Sequence, residues 1–386
     1  MKNIVLLFFI VLAGCSSKSK IKIDKIWLSY NNSNKKEIII NWLSPEPGNS
    51  EVVLYKSEHK VFSTLIDENT LLHHVAVPVK DANEYKYRVS TGRYESDWNT
   101  FKSLSGKAPL KIVVIADWGY NDTADLSNVY KEAPDLIVSC GDNVPDLYQF
   151  GKQGNKHCIK SYLRLVGLYP DLFKHIPFMP VMGNHDHQLY PRGSKPPVDY
   201  MVYDTAGTAF REFFELPGDE WKWEFVIPDS KIRLIGLDLH HIHDYGNNWQ
   251  TCHSYHKNSP QYKWYRNKMI EDFDGYTVTL MNANAPDMRR VDSAIWDESL
   301  KKNSLVITGS GYYAEKAIVD NVPFLNTSLV AGDVWPDAID PKAEYSKSLS
   351  TYILLTVNGS SMTADFKTLD GRLYDRIVLD KTVSEE

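Results

Sequence analysis

Cysteine is scarce in this sequence, four in 386 residues, and that scarcity excludes a disulfide-built scaffold, which packs many half-cystines into a short chain. A basic excess is missing as well. The 43 Lys and Arg stand against 49 Asp and Glu, a formal net charge of -6, so the chain lacks the cationic footprint expected of a nucleic-acid binder. There is no internal repeat and no low-complexity tract, which removes repeat architectures and disordered tails. What is present is ample core material: 43% hydrophobic and 12% aromatic residues are enough for two domains of ordinary size.

The one apolar run that needs explaining at the start is Ile4 to Leu12. It falls short of the roughly 20 residues of a spanning helix. With Lys2 before it and small residues after it, it reads as an export signal. The tetrad Leu12-Ala13-Gly14-Cys15 resembles a bacterial lipobox, which implies cleavage before Cys15, lipidation of that residue and a polar tether through residue 20; an ordinary signal peptide cleaved nearby is the alternative. Residues 1–20 are thus expected to be a lipoprotein signal and tether. The chain is expected outside the cytoplasm, anchored by lipid on the periplasmic or cell-surface side of a bacterial membrane. Of the remaining cysteines, Cys140, Cys158 and Cys252, one pair could form a disulfide, and Cys140, inside an apolar run, reads as a buried thiol.

From residue 21 to about 105 the pattern is short β-branched or alternating runs such as EIIINWLSP, SEVVLYK and EYKYRVSTG, separated by Asn, Ser, Pro and Gly. This predicts an all-β sandwich of the immunoglobulin or fibronectin kind. Ser105 to Pro109 reads as a linker. Beyond it, over 110–380, apolar strands alternate with stretches of helical periodicity, DLSNVYKEA, CIKSYLRLVGLYPDLFKH and SPQYKWYRNKMIEDF, the signature of a layered α/β domain. The last strands, ending in DGRLYDRIVL, are expected to complete a second sheet.

Three strands end on polar groups. KIVVIADWGY delivers Asp117, DLIVSCGDN delivers Asp142 and Asn143, and PFMPVMGNHDHQLY delivers Asn184, His185, Asp186 and His187. Asp and Asn also cap turns, which explains any one of these residues. Three strand ends in series point instead to a shared site of hard oxygen donors, suited to one or two divalent cations that activate water and clamp a phosphoryl group.

These three blocks resemble those of the calcineurin-like metallophosphoesterases, with purple acid phosphatases the nearest group. The segment from INWLSPEPG to WNTFKSL likewise resembles the fibronectin-type domain that precedes their catalytic domain. The resemblance implies that Asp117 and Asn184 each bind a metal, that Asp142 bridges two, that His185 contacts phosphate or the leaving group, and that Asp186 supports it. Asn143 and His187 would contact substrate or the rim of the site. Three expected histidines, and a tyrosine, are replaced. Pro145 stands where a phenolate ligand belongs, Asn284 where a histidine precedes Pro286, and Ser310 and Tyr312 where a Gly-His-x-His block belongs. Asn284 and Tyr312 can still offer oxygen ligands, Ser310 a substrate contact, and Tyr148 a displaced phenol.

Fe, Zn or Mn serve this family. The changed donor set removes most of the nitrogen ligands that favour Zn or Fe and leaves an oxygen-rich site for one Mg, Mn or Ca ion. Alternatively, histidines of LDLHHIHDY (His240, His241, His243) or TCHSYH (His253, His256) could turn into the site, their other role being a polar loop surface or structural hydrogen bonding. Two functions follow as expectations. One is a hydrolase of extracytoplasmic phosphate esters acting through a metal-activated water. The other is a catalytically degenerate relative that uses the same cleft to bind a glycan, with Tyr312, Tyr313, Trp249 and Trp335 as an aromatic lining, or to bind a protein.

Overall fold

A computed structural model describes residues 21–32, 36–80, 83–104, 109–193, 201–242, 249–289, 294–334 and 339–380. The expected signal and lipid site at Cys15, most of the linker, His243 and Trp335 lie outside them. Among the described residues no helix is long and apolar enough to cross a membrane.

The first six strands are β1 (Ile26–Ser29), β2 (Glu37–Lys56), β3 (His59–Pro78), β4 (Glu84–Thr91), β5 (Tyr94–Glu95) and β6 (Asn99–Lys102), all in one hydrogen-bonded antiparallel sheet. Runs that Pro45, Pro47 and Gly48 would divide are continuous here. The register of β2 against β3 shifts between Leu43 and Gly48 and again before Ser50, so the punctuating residues make bulges that bend a long strand rather than end it. The bend lets one half of β2 pair with β1 and the other half with β4. Trp27 of β1 stacks on Phe213 at 4.0 Å, and the Tyr87 hydroxyl donates to the Lys174 carbonyl at 2.8 Å. One continuous core therefore joins this sheet to much of the part that follows, where a second cluster packs separately.

Two mixed sheets make up the remainder. In the first, β7 (Leu110–Ile115), β8 (Leu136–Ser139) and β9 (Phe178–Pro180) run parallel, and β17 (Thr351–Asn358), β18 (Ser361–Thr368) and β19 (Leu373–Asp380) extend it as an antiparallel meander from the β7 edge. The C-terminal strands thus join the sheet that begins the α/β part: β17 pairs with β7, Ile353 opposite Val114, and covers an edge that would otherwise be open. The second sheet has the order β10-β11-β12-β13-β15-β14-β16, from β10 (Trp223–Ile227), β11 (Ile232–Gly236), β12 (Tyr276–Met281), β13 (Leu305–Thr308), β14 (Ala314–Val319), β15 (Val322–Asn326) and β16 (Ala343–Lys347).

Helices are short. They are α1 (Ser127–Lys131), α2 (Lys160–Leu168), α3 (Pro170–His175), α4 (Thr208–Phe213), α5 (Pro260–Ile270) and α6 (Asp297–Leu300). Pro170 splits the long helical stretch into α2 and α3, since proline cannot donate to the preceding turn but fits the first position of a new helix. Ser259 caps α5 by accepting from the Tyr262 N–H.

The ends of the parallel strands from both sheets meet. A Cβ on Gly309, just past β13, would overlap the Cβ of Ala116 after β7 and crowd the Cβ and carbonyl of Cys140 after β8. Asn282, just past β12, donates to the carbonyls of Cys140 and Gly309. This junction of strand tips is where open α/β sheets place ligands. Cys140, Cys158 and Cys252 are all buried free thiols, so the disulfide left open by the sequence does not form.

Candidate metal and phosphate site

Asp117 and Asp142 follow β7 and β8 directly, and both take left-handed backbone, with φ of 56° and 52°. Such strain in a non-glycine residue concentrates where function demands a particular side-chain direction. Backbone bonds lock the two turns together: Asp117 N–H donates to the Gly141 carbonyl at 3.1 Å and Gly119 N–H to the Asp142 carbonyl at 2.9 Å. Both carboxylates are buried. Burial, then the charge of Asp142, pushes the Asp117 carboxyl well above the usual carboxylate range, with the Ser328 hydroxyl opposing. Neither oxygen of Asp117 meets a donor in hydrogen-bond geometry among the described residues. A buried carboxyl next to a second one, with its oxygens unengaged, is a strong place for a cation.

The third block forms a single 3-10 turn, Asn184–His187, pressed against the second. A side chain on Gly183 would collide with Oδ1 and N of Asp142, so glycine is required by the close approach. The N–H of His185 donates to Asp142 Oδ1 at 3.0 Å. Asp186 points inward, away from solvent, and receives the Gly183 N–H (2.9 Å), the Asn143 N–H (3.2 Å), the Asn143 side-chain amide (3.1 Å) and the Tyr162 hydroxyl (3.2 Å). Burial raises its carboxyl to about 7 against the pull of the Gly183 N–H. The structure therefore places Asp186 and Asn143 in the brace that fixes the turn. Asn143 is fully buried, its remaining contacts being Ser139 and the Val181 carbonyl.

His185 is the histidine that faces this centre. Its Nδ1 bonds the Pro145 carbonyl and its Nε2 bonds the Tyr120 hydroxyl. A carbonyl only accepts, so the proton sits on Nδ1 and the Nε2 lone pair takes the tyrosine O–H. Pro145 thus orients His185, where a phenolate ligand was expected from the family pattern. The Tyr120 ring lies 4.6 Å from the His185 ring and 5.0 Å from that of Tyr312. Burial, followed by Asp142, pushes the Tyr120 phenol upward; burial does the same to Tyr312. Both stay protonated near neutrality. Tyr120 escaped the sequence reading although it lies three residues past Asp117; only its packing beside His185 marks it out.

Asn184 is buried at the start of the turn, and Tyr312, at φ 62°, is half-buried and feels the charge of both carboxylates. Ser310 exchanges backbone bonds with the Asn326 side chain, at 3.0 and 2.9 Å. The Asn284 amide bonds the Tyr313 phenol. At the strand-tip junction it is Asn282, two residues earlier, that is buried.

The other histidines gather elsewhere. His187, His240 and His253 surround Asp238, just past β11, through contacts of 3.2 Å (His187 Nε2 to Oδ1), 3.0 Å (His240 Nε2 to Oδ1) and 2.6 Å (His253 Nδ1 to Oδ2). Burial alone would raise the Asp238 carboxyl, yet the facing imidazoles, His187 foremost, hold it well below the usual range. Burial pushes His240 down to about 4. Far from a polar loop surface, His187, Asp238 and His240 are fully buried and can hold a divalent metal.

Residues 110–325 match the family model described as calcineurin-like phosphoesterase. Among solved structures, a purple acid phosphatase from seeds of yellow lupin (Lupinus luteus) superposes with a TM-score of 0.70 at 14% identity, covering 94% of this chain and 75% of that one. PhoD superposes with a TM-score of 0.66 at 12% identity, over 94% of this chain and 91% of the other. No curated protein matches by sequence.

Proposed function

Since the chain belongs to the calcineurin-like phosphoesterase family, we propose that it is a hydrolase of phosphate esters whose site is rebuilt around oxygen donors. The observation that carries this reading is the Asp117–Asp142 pair, two buried carboxylates on adjacent strand tips, one with both oxygens unengaged. Asp117, Asp142 and Asn184 would hold a hard divalent cation of the Mg, Mn or Ca kind, with Tyr312 within the field of both carboxylates. When bound, such a cation supplies Lewis-acid activation of water and neutralises charge on the phosphoryl oxygens.

The chain's own residues do the rest. Asp142 fixes the main chain of His185, and Pro145 fixes its tautomer. A phosphate ester that displaces the Tyr120 hydroxyl meets His185 Nε2, which would first take a proton from solvent, making the ring an imidazolium, and then pass that proton to the departing oxygen. Asp186, Asn143 and Tyr162 keep the turn from moving during that exchange. We further propose that residues 1–20 export the chain and that Cys15 carries a lipid, so that the substrate is extracytoplasmic, with residues 21–105 and 110–380 as its two domains.

A second reading, a binding protein that keeps the cleft without turnover, is favoured by one specific observation: Tyr120 covers His185, while Ser310 and Asn284 are engaged by Asn326 and Tyr313. The two readings separate on phosphate release from 4-nitrophenyl phosphate by the purified chain with Mg, Mn, Ca or Zn. The hydrolase reading requires cation-dependent release that Asp142→Asn abolishes.

A further inference from the structure

The Asp238 cluster lies outside the proposed catalytic pair and uses none of its residues. We propose that His187 Nε2, His240 Nε2 and Asp238 Oδ1 are the protein ligands of a second metal site, selective for a zinc-class transition ion, which ties the Asn184–His187 turn to the segment after β11. Three features of the geometry lead there.

The first is spacing. A tetrahedral ion with ligands at about 2.0–2.1 Å has ligand atoms roughly 3.3 Å apart. Asp238 Oδ1 lies 3.2 Å from His187 Nε2 and 3.0 Å from His240 Nε2, and all three ligand atoms fall within 4.8 Å of one another.

The second is the tautomer of His187. Its Nδ1 sits 2.8 Å from the Asp204 carbonyl, which can only accept, so that nitrogen carries a proton and Nε2 is the atom turned to Asp238 Oδ1, 3.2 Å away. A positive charge has to stand between those two atoms, either a proton, which makes the ring an imidazolium, or a metal ion in its place. The tautomer leaves Nε2 as the ligating atom when the ion takes that position.

The third is the outer shell. Ligating imidazoles ordinarily donate their other N–H to a carbonyl, and ligating carboxylates are themselves hydrogen-bonded. His187 does the former. Asp238 does the latter: its Oδ2 receives the His253 N–H at 2.8 Å and His253 Nδ1 at 2.6 Å, leaving Oδ1 for the ion. His253 is in turn stacked on Trp221 at 3.7 Å. Two nitrogens and one oxygen in a buried setting favour Zn over Mg or Ca, in contrast to the oxygen donors around Asp117. With three protein ligands, water takes the fourth position.

The test uses the full chain carrying Asp142→Asn, which disables the proposed catalytic pair and leaves the cluster intact. After dialysis against a weak chelator, elemental analysis is expected to find one zinc-class ion per chain. Exchange for cobalt should give the intense visible absorption of a four-coordinate site. Removal by a strong chelator should lower Tm, and zinc should restore it. His253→Gln should weaken zinc binding about 10–100-fold, the usual effect of losing an outer-shell partner, while His240→Gln should abolish the cobalt absorption. No transition ion in the Asp142→Asn chain, together with a Tm indifferent to chelator and zinc, overturns the proposal and leaves a His187 imidazolium on Asp238. Because these readouts need no turnover, they stand or fall separately from phosphate-ester hydrolysis.

Discussion

The main-chain N–H of His185 donates to Asp142 Oδ1 at 3.0 Å. A carboxylate expected to bind metal therefore also sets the position of the residue expected to act on the ester. Asp142→Asn keeps an acceptor oxygen but loses the charge. Activity should fall at least about 100-fold, since even outer-shell losses cost a metal site 10–100-fold, whereas circular dichroism should be unchanged. Kinetics with Mn or Mg check this.

The unengaged carboxyl of Asp117 has a stability counterpart. Two buried carboxyls with no cation between them repel, so Asp117→Asn should raise the Tm of metal-free protein even as it removes cation binding, the trade of stability against function common at active sites. Thermal unfolding with and without chelator measures both effects. A lower Tm in the metal-free variant would contradict the cost assigned to burying the Asp117 carboxyl beside Asp142.

Gly183→Ala forces a methyl into Asp142. Overpacking of this kind costs about 1–3 kcal/mol, and because it displaces the Asp142 side chain, cation binding should weaken as well. Urea unfolding and cation titration on the same preparation report the two effects.

The motifs were legible because their residue types and order carry the chemistry: Asp117, Asp142 and the Asn184–His187 turn come together as their positions after apolar strands imply. Less legible was anything decided across the fold. The strands of the first hundred residues are fewer and longer than the punctuation suggests, because Pro45 and Gly48 act as bulges when a neighbouring strand of equal length is available. The hairpin of β14 and β15 passes unnoticed in AEKAIV and VPFLN, which show no clean alternation. His187, His240 and His253 were expected as site contacts, on a loop surface or in structural hydrogen bonds; a sequence does not show that their partner is Asp238, buried after β11, which draws them together. Tyr120 has no marker at all in the motif, and its role comes from a ring packed between His185 and Tyr312.

The N-terminal strands share one core with much of the rest through Trp27 and Phe213. Trp27→Ala should cost about 3–5 kcal/mol, the usual range for removing a buried aromatic, and should lower the stability of both parts together. Unfolding followed by far-UV dichroism and by tryptophan fluorescence should give coincident transitions in the parent chain.

Stability should also fall in mild acid through His74. Burial, with the neighbouring His73 adding to it, lowers His74 to about 4 despite a bond to the Glu212 backbone and the charge of Glu68, whereas the unfolded chain titrates near 6.5. Between these values the unfolded state binds the extra proton, so stability is lost as pH falls from about 6.5 towards 4, amounting to about 2 kcal/mol at pH 5. His74→Gln, whose amide can still reach Asn41, should show a drop in unfolding free energy between pH 7 and 5 that is smaller by that amount, measured by urea titration.

The most direct measurement is phosphate release by the metal-stripped full chain on stepwise addition of Mg, Mn, Ca or Zn, run beside Asp142→Asn. Turnover should appear with a hard divalent cation, saturate, and be absent from the variant. Folded parent chain that releases no phosphate with any of the four, or a variant that matches the parent, would contradict it.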